Sequence, residues 1–186
     1  MQRVEALPAD ALDDRLIFHW VALNSLYGQW DNARREPQPD VITLRAFLSH
    51  LLPLDEHGTI AGILNADRSM VMSIFEDAYL TKFFWEEPSQ SRAQRSMSKR
   101  HKANSWYLEG QFGLILEEMM LRLYVLRCQL VHGAATYGGN LNRSAIQRCT
   151  AMLNALLPPF VLVMMDAGVN KSWGPLCYPP RPIGDR

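Results

Sequence analysis

The chain has 186 residues, a length that suits one domain with a buried core of its own. Hydrophobic residues make up 48% and charged residues 20%, the balance of a globular protein, which excludes a chain that is disordered throughout. Nineteen basic residues balance nineteen acidic ones, so the net charge is zero and gives no argument for a nucleic-acid or membrane partner. Any such argument has to come from local charge.

The cysteines and the apolar stretches indicate the compartment. Cys128, Cys149 and Cys177 are odd in number and widely spaced, which argues against a disulfide framework or a structural zinc site. The amino-terminal residues lack the apolar run of a signal peptide. The longest apolar stretch, residues 155–165, is well short of the ~20 residues that a membrane span needs. We therefore expect a cytoplasmic protein without a membrane partner.

The spacing of apolar residues predicts helices in the first half of the chain. The first helix covers about residues 11–30, and its apolar residues recur at steps of four and three: Leu16, Trp20, Leu23, Tyr27 and Trp30. Residues 31–40 hold two prolines and many charges and predict a loop. A second helix covers residues 41–52 and stops at Pro53. A third covers residues 68–85, with these residues on one face: Met72, Phe75, Tyr79 and Phe83.

The composition changes in residues 89–104, the one strongly basic segment of the chain. It has no acidic residue and carries these basic ones: Arg92, Arg95, Lys99, Arg100 and Lys102. Ser and Gln take the place of apolar residues. One interpretation is a solvated, mobile connector between helices. The other is a loop that contacts phosphates, since neutralising phosphate charge requires little fixed geometry.

Two further helices complete the prediction. The fourth covers residues 106–131, has a long apolar face (Phe112, Leu116, Met119, Leu123, Leu126 and Leu130) and is followed by Gly133, which suits a left-handed C-cap. Asn142 can cap the fifth helix, whose apolar face is Ile146, Cys149, Leu153, Leu156 and Phe160. Pro158 and Pro159 predict a kink or a break in it. No segment alternates as a strand does. We expect an all-α, up-and-down bundle of about five helices over residues 1–170, followed by an irregular tail, residues 171–186.

Arg127 and His132 close the fourth helix and form the strongest chemical motif of the chain. A helix C-terminus favours a protonated histidine, and histidine can act as general acid or base near neutral pH. Arginine can hold phosphate oxygens with two parallel hydrogen bonds and stabilise developing charge. Five residues of α-helix turn through about 500°, so the two side chains point roughly 140° apart. They converge only if the last turn is distorted or if two chains combine their pairs in a two-fold dimer.

Two segments resemble the HEPN superfamily, whose members are small helical bundles with an Arg-x4–6-His motif that often ends in His-Gly. Residues 123–133, LYVLRCQLVHG, resemble its signature, and residues 18–28, FHWVALNSLYG, resemble the opening helix of many HEPN domains. The resemblance implies a metal-independent endoribonuclease without a cofactor. Arg127 would bind the scissile phosphate, and His132 would activate the 2′-hydroxyl or protonate the leaving oxygen, in a cleft at the interface of a homodimer.

The resemblance also implies a toxin or phage-defence role, with an antitoxin protein as a further partner. Active members often have a polar Asn or Asp after the arginine, where this chain has Cys128, and Gln129 is the candidate for the polar group instead. The basic residues of segment 89–104 would help to hold the RNA backbone.

Other interpretations stay open at this point. HEPN-like dimers also serve as RNA- or nucleotide-binding or scaffolding modules without catalysis, and a His and an Arg near a helix end can simply stabilise that end. The motif can also be a chance match in an unrelated helical protein. Metal chemistry is not expected, because none of the histidines forms HExxH or pairs with cysteine at ligand spacing. No P-loop, GxGxxG or GxSxG motif is present.

Overall fold

A computed structural model describes residues 6–134, 137–140, 142–175 and 177; the side chains of residues 93 and 95–100 lie outside what it describes. Within this part, the chain forms eight α-helices: α1 (Leu12–Tyr27), α2 (Asp40–Leu51), α3 (Thr59–Ala66), α4 (Arg68–Glu76), α5 (Lys82–Glu86), α6 (Gln90–Leu108), α7 (Phe112–Val131) and α8 (Arg143–Asp166). Two 3-10 helices cover Leu52–Leu54 and Ala78–Leu80. The one small sheet is an antiparallel hairpin of β1 (Trp30–Asp31) and β2 (Glu36–Pro37). The all-α prediction is confirmed, although a five-helix count is too low.

The apolar faces predicted for the first, fourth and fifth helices form the core. α1 packs along α8, and α7 contacts both of them and also α2, α3, α4 and α6. The predicted core residues of α1 and α8 are all buried, with the exception of Trp30, which lies beyond α1 in the hairpin: Leu16, Trp20, Leu23, Tyr27, Ile146, Cys149, Leu153, Leu156 and Phe160. A 3.6-residue period was sufficient to locate these faces because each helix is long, so its apolar residues repeat over several turns.

The prediction of a third helix over residues 68–85 is wrong in its second half. α4 ends at Glu76 because two carbonyls of the turn, those of Ile74 and Asp77, accept hydrogen bonds from Arg122 of α7 at 3.2 and 3.1 Å. The Asp77 carboxylate then accepts the backbone N–H of Tyr79 and starts a 3-10 helix. Tyr79 and Phe83 are consequently 51% and 57% exposed instead of lying in the core.

The structure also contains a helix that the sequence pattern did not indicate. α3 is only eight residues long and contains Gly62, a poor helix former, so the apolar pattern was too short to predict it. The carboxylate of Asp55 starts it by accepting the N–H groups of Thr59 and Ile60 at 2.9 and 2.7 Å. This arrangement satisfies amides that have no partner inside the helix.

The basic segment is helical, which corrects the expectation of a connector or loop. α6 covers Gln90–Leu108, and the Ser89 hydroxyl caps it by accepting the N–H of Arg92 at 3.4 Å. Ser and Gln disfavour burial but are compatible with an exposed helix, so polar composition alone did not predict a loop correctly. Gly110, at φ +65°, then separates α6 from α7, which therefore begins at Phe112 and not at residue 106.

α8 is not split by its two prolines. The helix continues through Pro158 and Pro159 to Asp166, and its neighbours Leu156, Leu157 and Phe160 are buried against the core. This packing compensates for the backbone hydrogen bonds that proline cannot make. α8 is also long and apolar enough to cross a membrane, with a mean hydropathy of 1.5, but half of that window is buried inside the fold. Such burial is typical of the core helix of a soluble protein.

The described part of the tail, residues 171–175 and 177, is an irregular strap. The ring of Trp173 lies 5.7 Å from that of Phe47, and its indole N–H donates to the carbonyl of Gly168 at 2.9 Å. Gln29 holds the strap by donating to the Trp173 carbonyl at 2.8 Å. The strap therefore covers the end of α1; the predicted tail beyond residue 177 lies outside the described residues.

Candidate functional site

The helix that carries Arg127 and His132 runs through the middle of the molecule. α7 contacts most of the other helices, and every residue from Ile115 to Leu130 is at least partly buried. Its end is regular: the His132 N–H donates to the Cys128 carbonyl at 2.9 Å, and Gly133 follows with φ +75°. The predicted left-handed glycine is confirmed, and it ends the helix without strain because glycine has no Cβ.

Arg127 lies half-buried among aromatic side chains. Its guanidinium NH1 lies 3.8 Å from the Cys128 Sγ, a weak polar contact. Its positive charge acts on the phenols of Tyr27 and Tyr124 and tends to lower the pKa of both. Burial outweighs this effect: it raises the pKa of Tyr27 and, with a hydrogen bond to Cys128, raises that of Tyr124 to about 12. Both phenols therefore stay protonated at neutral pH and can donate a hydrogen bond.

His132 is exposed on the other side of the helix end. Its imidazole makes no hydrogen bond or ion pair with any described residue, and Val131 beside it is 50% exposed. Because the last turn is regular, about 140° of helix rotation separates the directions of Arg127 and His132. A distorted last turn was one of the two predicted ways to bring Arg127 and His132 together, and this prediction is wrong. One chain does not direct the two side chains to a common point.

Gln129 does not supply a polar group beside Arg127, which corrects that expectation. Its side chain is 5% exposed and donates to the Tyr79 carbonyl at 2.6 Å. Its oxygen accepts a hydrogen bond from the Asn142 amide at 2.8 Å. Gln129 therefore ties the end of α7 to the segment before α8, and Asn142, expected to be an N-cap through its side chain, uses that side chain on Gln129 instead.

Two acidic residues of α1, not singled out by the sequence, hold the segment that follows His132. Asp13, 4% exposed, is ion-paired with Arg143 and accepts the Gly138 N–H at 3.2 Å. Asp14 accepts the hydroxyl of Tyr137 at 2.6 Å. The only sequence signal for these contacts of Asp13 and Asp14 is the acidic first turn of α1. Many helices share this feature because of the helix dipole.

The basic residues of segment 89–104 lie on α6, which packs against α7 and against the 3-10 helix that holds Gln129. Arg92 is ion-paired with Glu87 at 2.9 Å, which offsets part of its charge, and Lys102 is exposed. The side chains of Arg95, Lys99 and Arg100 lie outside the described residues. The structure thus puts a basic helix next to the helix of the candidate site.

Two cavities, of about 270 and 310 Å³, lie elsewhere. The first lies under the tail strap, between Tyr27, Phe47 and Trp173, and the second lies beside Asp55 and the end of α8. Neither is lined by Arg127 or His132. Among the described residues, no cluster of three His, Cys, Asp or Glu side chains could hold a metal ion.

No protein-family model, curated protein or solved structure matches this chain.

Proposed function

We propose that the chain is a metal-independent endoribonuclease of the HEPN type that works as a homodimer through α7. The observation that carries the proposal is the end of α7 itself: a half-buried Arg127 and an exposed His132 on diverging sides of one regular helix end. Arg127 would bind the scissile phosphate and stabilise its charge in the transition state. His132 would move the proton, either from the 2′-hydroxyl or to the leaving oxygen. Such an activity fits a toxin or phage-defence factor in the cytoplasm, controlled by an antitoxin protein.

The surface of α7 supports a dimer. The side of this helix that other helices do not fully cover is mainly apolar, at helical spacing: Leu114, Leu121, Val125, Cys128 and Val131. A second copy seated on this side by a two-fold axis would bury it. If the two-fold axis lies near Cys128 and Val131, the carboxyl ends of two α7 helices come together and Arg127 of one chain faces the partner's His132.

Helix α6 supports RNA as the substrate. Its basic residues (Arg92, Arg95, Lys99, Arg100 and Lys102) sit on an element that packs against α7. They would contact the phosphate backbone without reading its sequence. Because the whole chain has no net charge, we expect modest RNA affinity that falls steeply as salt is added.

Cleavage of RNA by the purified protein in EDTA tests the proposal. We expect Arg127→Ala and His132→Ala each to reduce the rate about 100-fold or more, since each removes an interaction that acts in the transition state. Arg45→Ala and His57→Ala are matched controls that should cut normally. Arg45 pairs with Glu117, which lies about 15 Å along α7 from Arg127, and His57 lies in the exposed turn before α3. If the wild type cuts none of several RNAs, a non-catalytic binding or scaffolding module replaces the nuclease.

Mixing the two inactive variants tests the dimeric site. If a site takes Arg127 from one chain and the partner's His132, a heterodimer of the two variants regains one intact site. Random exchange of subunits should then restore on the order of a quarter of the wild-type rate. No recovery after exchange, with both variants shown to be dimeric, would place each site within a single chain.

A further inference from the structure

Three large aromatic side chains lie exposed close together in the chain. Tyr79, Phe83 and Trp85 are 51%, 57% and 42% exposed. Tyr79 belongs to the 3-10 helix Ala78–Leu80, and the other two belong to α5, which contacts that 3-10 helix. Single apolar residues on a surface are ordinary, whereas several large exposed rings in one place are typical of a binding surface.

Hydrogen bonding and ring packing hold this aromatic cluster in place. The indole N–H of Trp85 donates to the Tyr79 carbonyl at 2.8 Å. The half-buried ring of Phe84 lies 4.9 Å from that of Tyr79 and 5.3 Å from that of Trp85, both edge to face. Phe83 packs against no other ring in the described part of the chain, so its ring is available to a ligand. Rings that are already held lose little conformational freedom when a ligand binds.

The aromatic cluster is connected to the end of α7 that carries His132. The Tyr79 carbonyl, which accepts the indole N–H of Trp85, also accepts the side-chain amide of Gln129 at 2.6 Å. Gln129 lies three residues before His132 and is therefore its neighbour on the helix surface. Arg127 points to the other side of α7, since two residues of helix turn through about 200°. The aromatic cluster thus lies on the His132 side of α7.

The charge beside the aromatic cluster is positive. α6 contacts both α5 and the 3-10 helix, and residues 89–108 contain no acidic residue. Glu86 and Glu87, at the end of α5, are ion-paired with Lys82 and Arg92 at 3.3 and 2.9 Å. The surface therefore suits a polyanion that also presents flat apolar faces, and a single-stranded nucleic acid has both features. An anionic lipid surface offers the same charge, but the nearby His132 favours RNA.

We propose that Tyr79, Phe83 and Trp85 form a stacking platform for unpaired bases, so that the substrate is single-stranded RNA or an unpaired loop. The inference rests on the proposed function for the choice of RNA as ligand. The rings of Phe83 and Trp85 stack on bases next to the cleavage site, and the charge of α6 neutralises the adjoining phosphates. Bases of a duplex are stacked on one another and do not reach the rings.

Phe83→Leu, which keeps an apolar side chain and removes the aromatic face, tests the stacking platform. The probe is a fluorescently labelled single-stranded 2′-deoxy oligonucleotide, which lacks the 2′-hydroxyl needed for cleavage, with binding followed by anisotropy at low salt. We expect Phe83→Leu and Trp85→Leu each to weaken binding about ten-fold, the order of one lost base–aromatic stack. Phe83→Trp should bind at least as tightly as the wild type. The duplex of the same sequence should bind Phe83→Leu and the wild type equally, because only charge holds it.

Phe18→Leu is the matched control. Its ring is 39% exposed on α1, so the variant should keep the wild-type affinity for the single strand. Urea unfolding should show Phe83→Leu to be as stable as the wild type, because the Phe83 ring is exposed. The platform is overturned if Phe83→Leu binds the single strand as the wild type does, if Phe83→Trp binds as weakly as Phe83→Leu, or if the duplex loses as much affinity. A wild type that binds phosphatidylserine vesicles and no oligonucleotide would also overturn it and would assign the rings to a membrane surface.

The same variants separate this inference from the proposed ribonuclease. Weaker single-strand binding by Phe83→Leu, with no RNA cut by the wild type, would support the platform and reject the nuclease. RNA cleavage that depends on His132, with unchanged binding and cleavage in Phe83→Leu, would support the nuclease and reject the platform.

Discussion

Arg122 and Arg127 lie five residues apart on α7, yet they differ in burial and in hydrogen-bond partners. Arg122 is 1% exposed and donates to the carbonyls of Ile74 and Asp77 and to the Glu118 carboxylate. Arg127 is half-buried, and within the described part of the chain its guanidinium makes one hydrogen-bond contact, a weak one with the Cys128 thiol. Two histidines differ in burial in the same way, since His19 is 1% exposed and His132 is exposed. A buried arginine that donates to core carbonyls and a carboxylate holds the fold together, whereas an arginine near the surface without such partners is available to a ligand.

The largest expected difference is in stability. Arg122→Ala should lower the free energy of unfolding by about 3 kcal/mol or more, because it leaves two buried carbonyls and the Glu118 carboxylate without their partner. Arg127→Ala should change it by less than about 1 kcal/mol, since no described carbonyl or carboxylate depends on Arg127. Urea unfolding of both variants measures this difference. Equal losses would remove the distinction between a structural and an available arginine.

A smaller effect on stability is expected at Gln129, which lies two residues after Arg127 on α7 and bonds to the Tyr79 carbonyl and to Asn142. Gln129→Ala removes the hydrogen bonds to the Tyr79 carbonyl and from Asn142, and should cost about 1–3 kcal/mol. Gln147→Ala, at an exposed position of α8, is the control and should change stability by less than about 0.5 kcal/mol. A Gln129→Ala variant as stable as the control would mean that the end of α7 does not depend on this connection.

The smallest expected effect is a pH dependence that comes from His19. Burial, and to a lesser extent the charge of Arg15, lowers the pKa of its imidazole below the ordinary 6.5, while a hydrogen bond with Asn154 opposes the shift. A proton therefore binds the unfolded chain more readily. The stability that neutral His19 provides is present above about pH 6.5 and is lost as the pH falls through the lower folded value.

Urea unfolding at several pH values checks this sign. His19→Gln should flatten the fall in stability below neutral pH, whereas His57→Gln, at an exposed position, should leave it unchanged. If the profile of His19→Gln follows that of the wild type, another group titrates.

Several features of the site could be predicted from the sequence because they depend on near neighbours in the chain. Gly133 ends α7 as predicted, because glycine adopts a positive φ without strain. The divergence of Arg127 and His132 follows from helix geometry alone. The surroundings of Arg127 could not be predicted, because Tyr27, whose phenol is affected by the charge of Arg127, lies about a hundred residues away in the chain. Apolar spacing marked Trp20 and Tyr27 as core residues, and it carries no information about which polar atoms stay unpaired.

By itself, the sequence determined that the protein is helical and which faces of α1, α7 and α8 are buried, since each is a long helix whose apolar residues keep a single period. Only the tertiary structure decided where α4 ends, that α6 is a helix, and which arginine of α7 bonds to core carbonyls. Those outcomes depend on hydrogen bonds between distant segments, such as Arg122 with the Ile74 carbonyl and Gln129 with the Tyr79 carbonyl. A local pattern cannot encode them, because the partner of a buried polar group is set by which helices pack together.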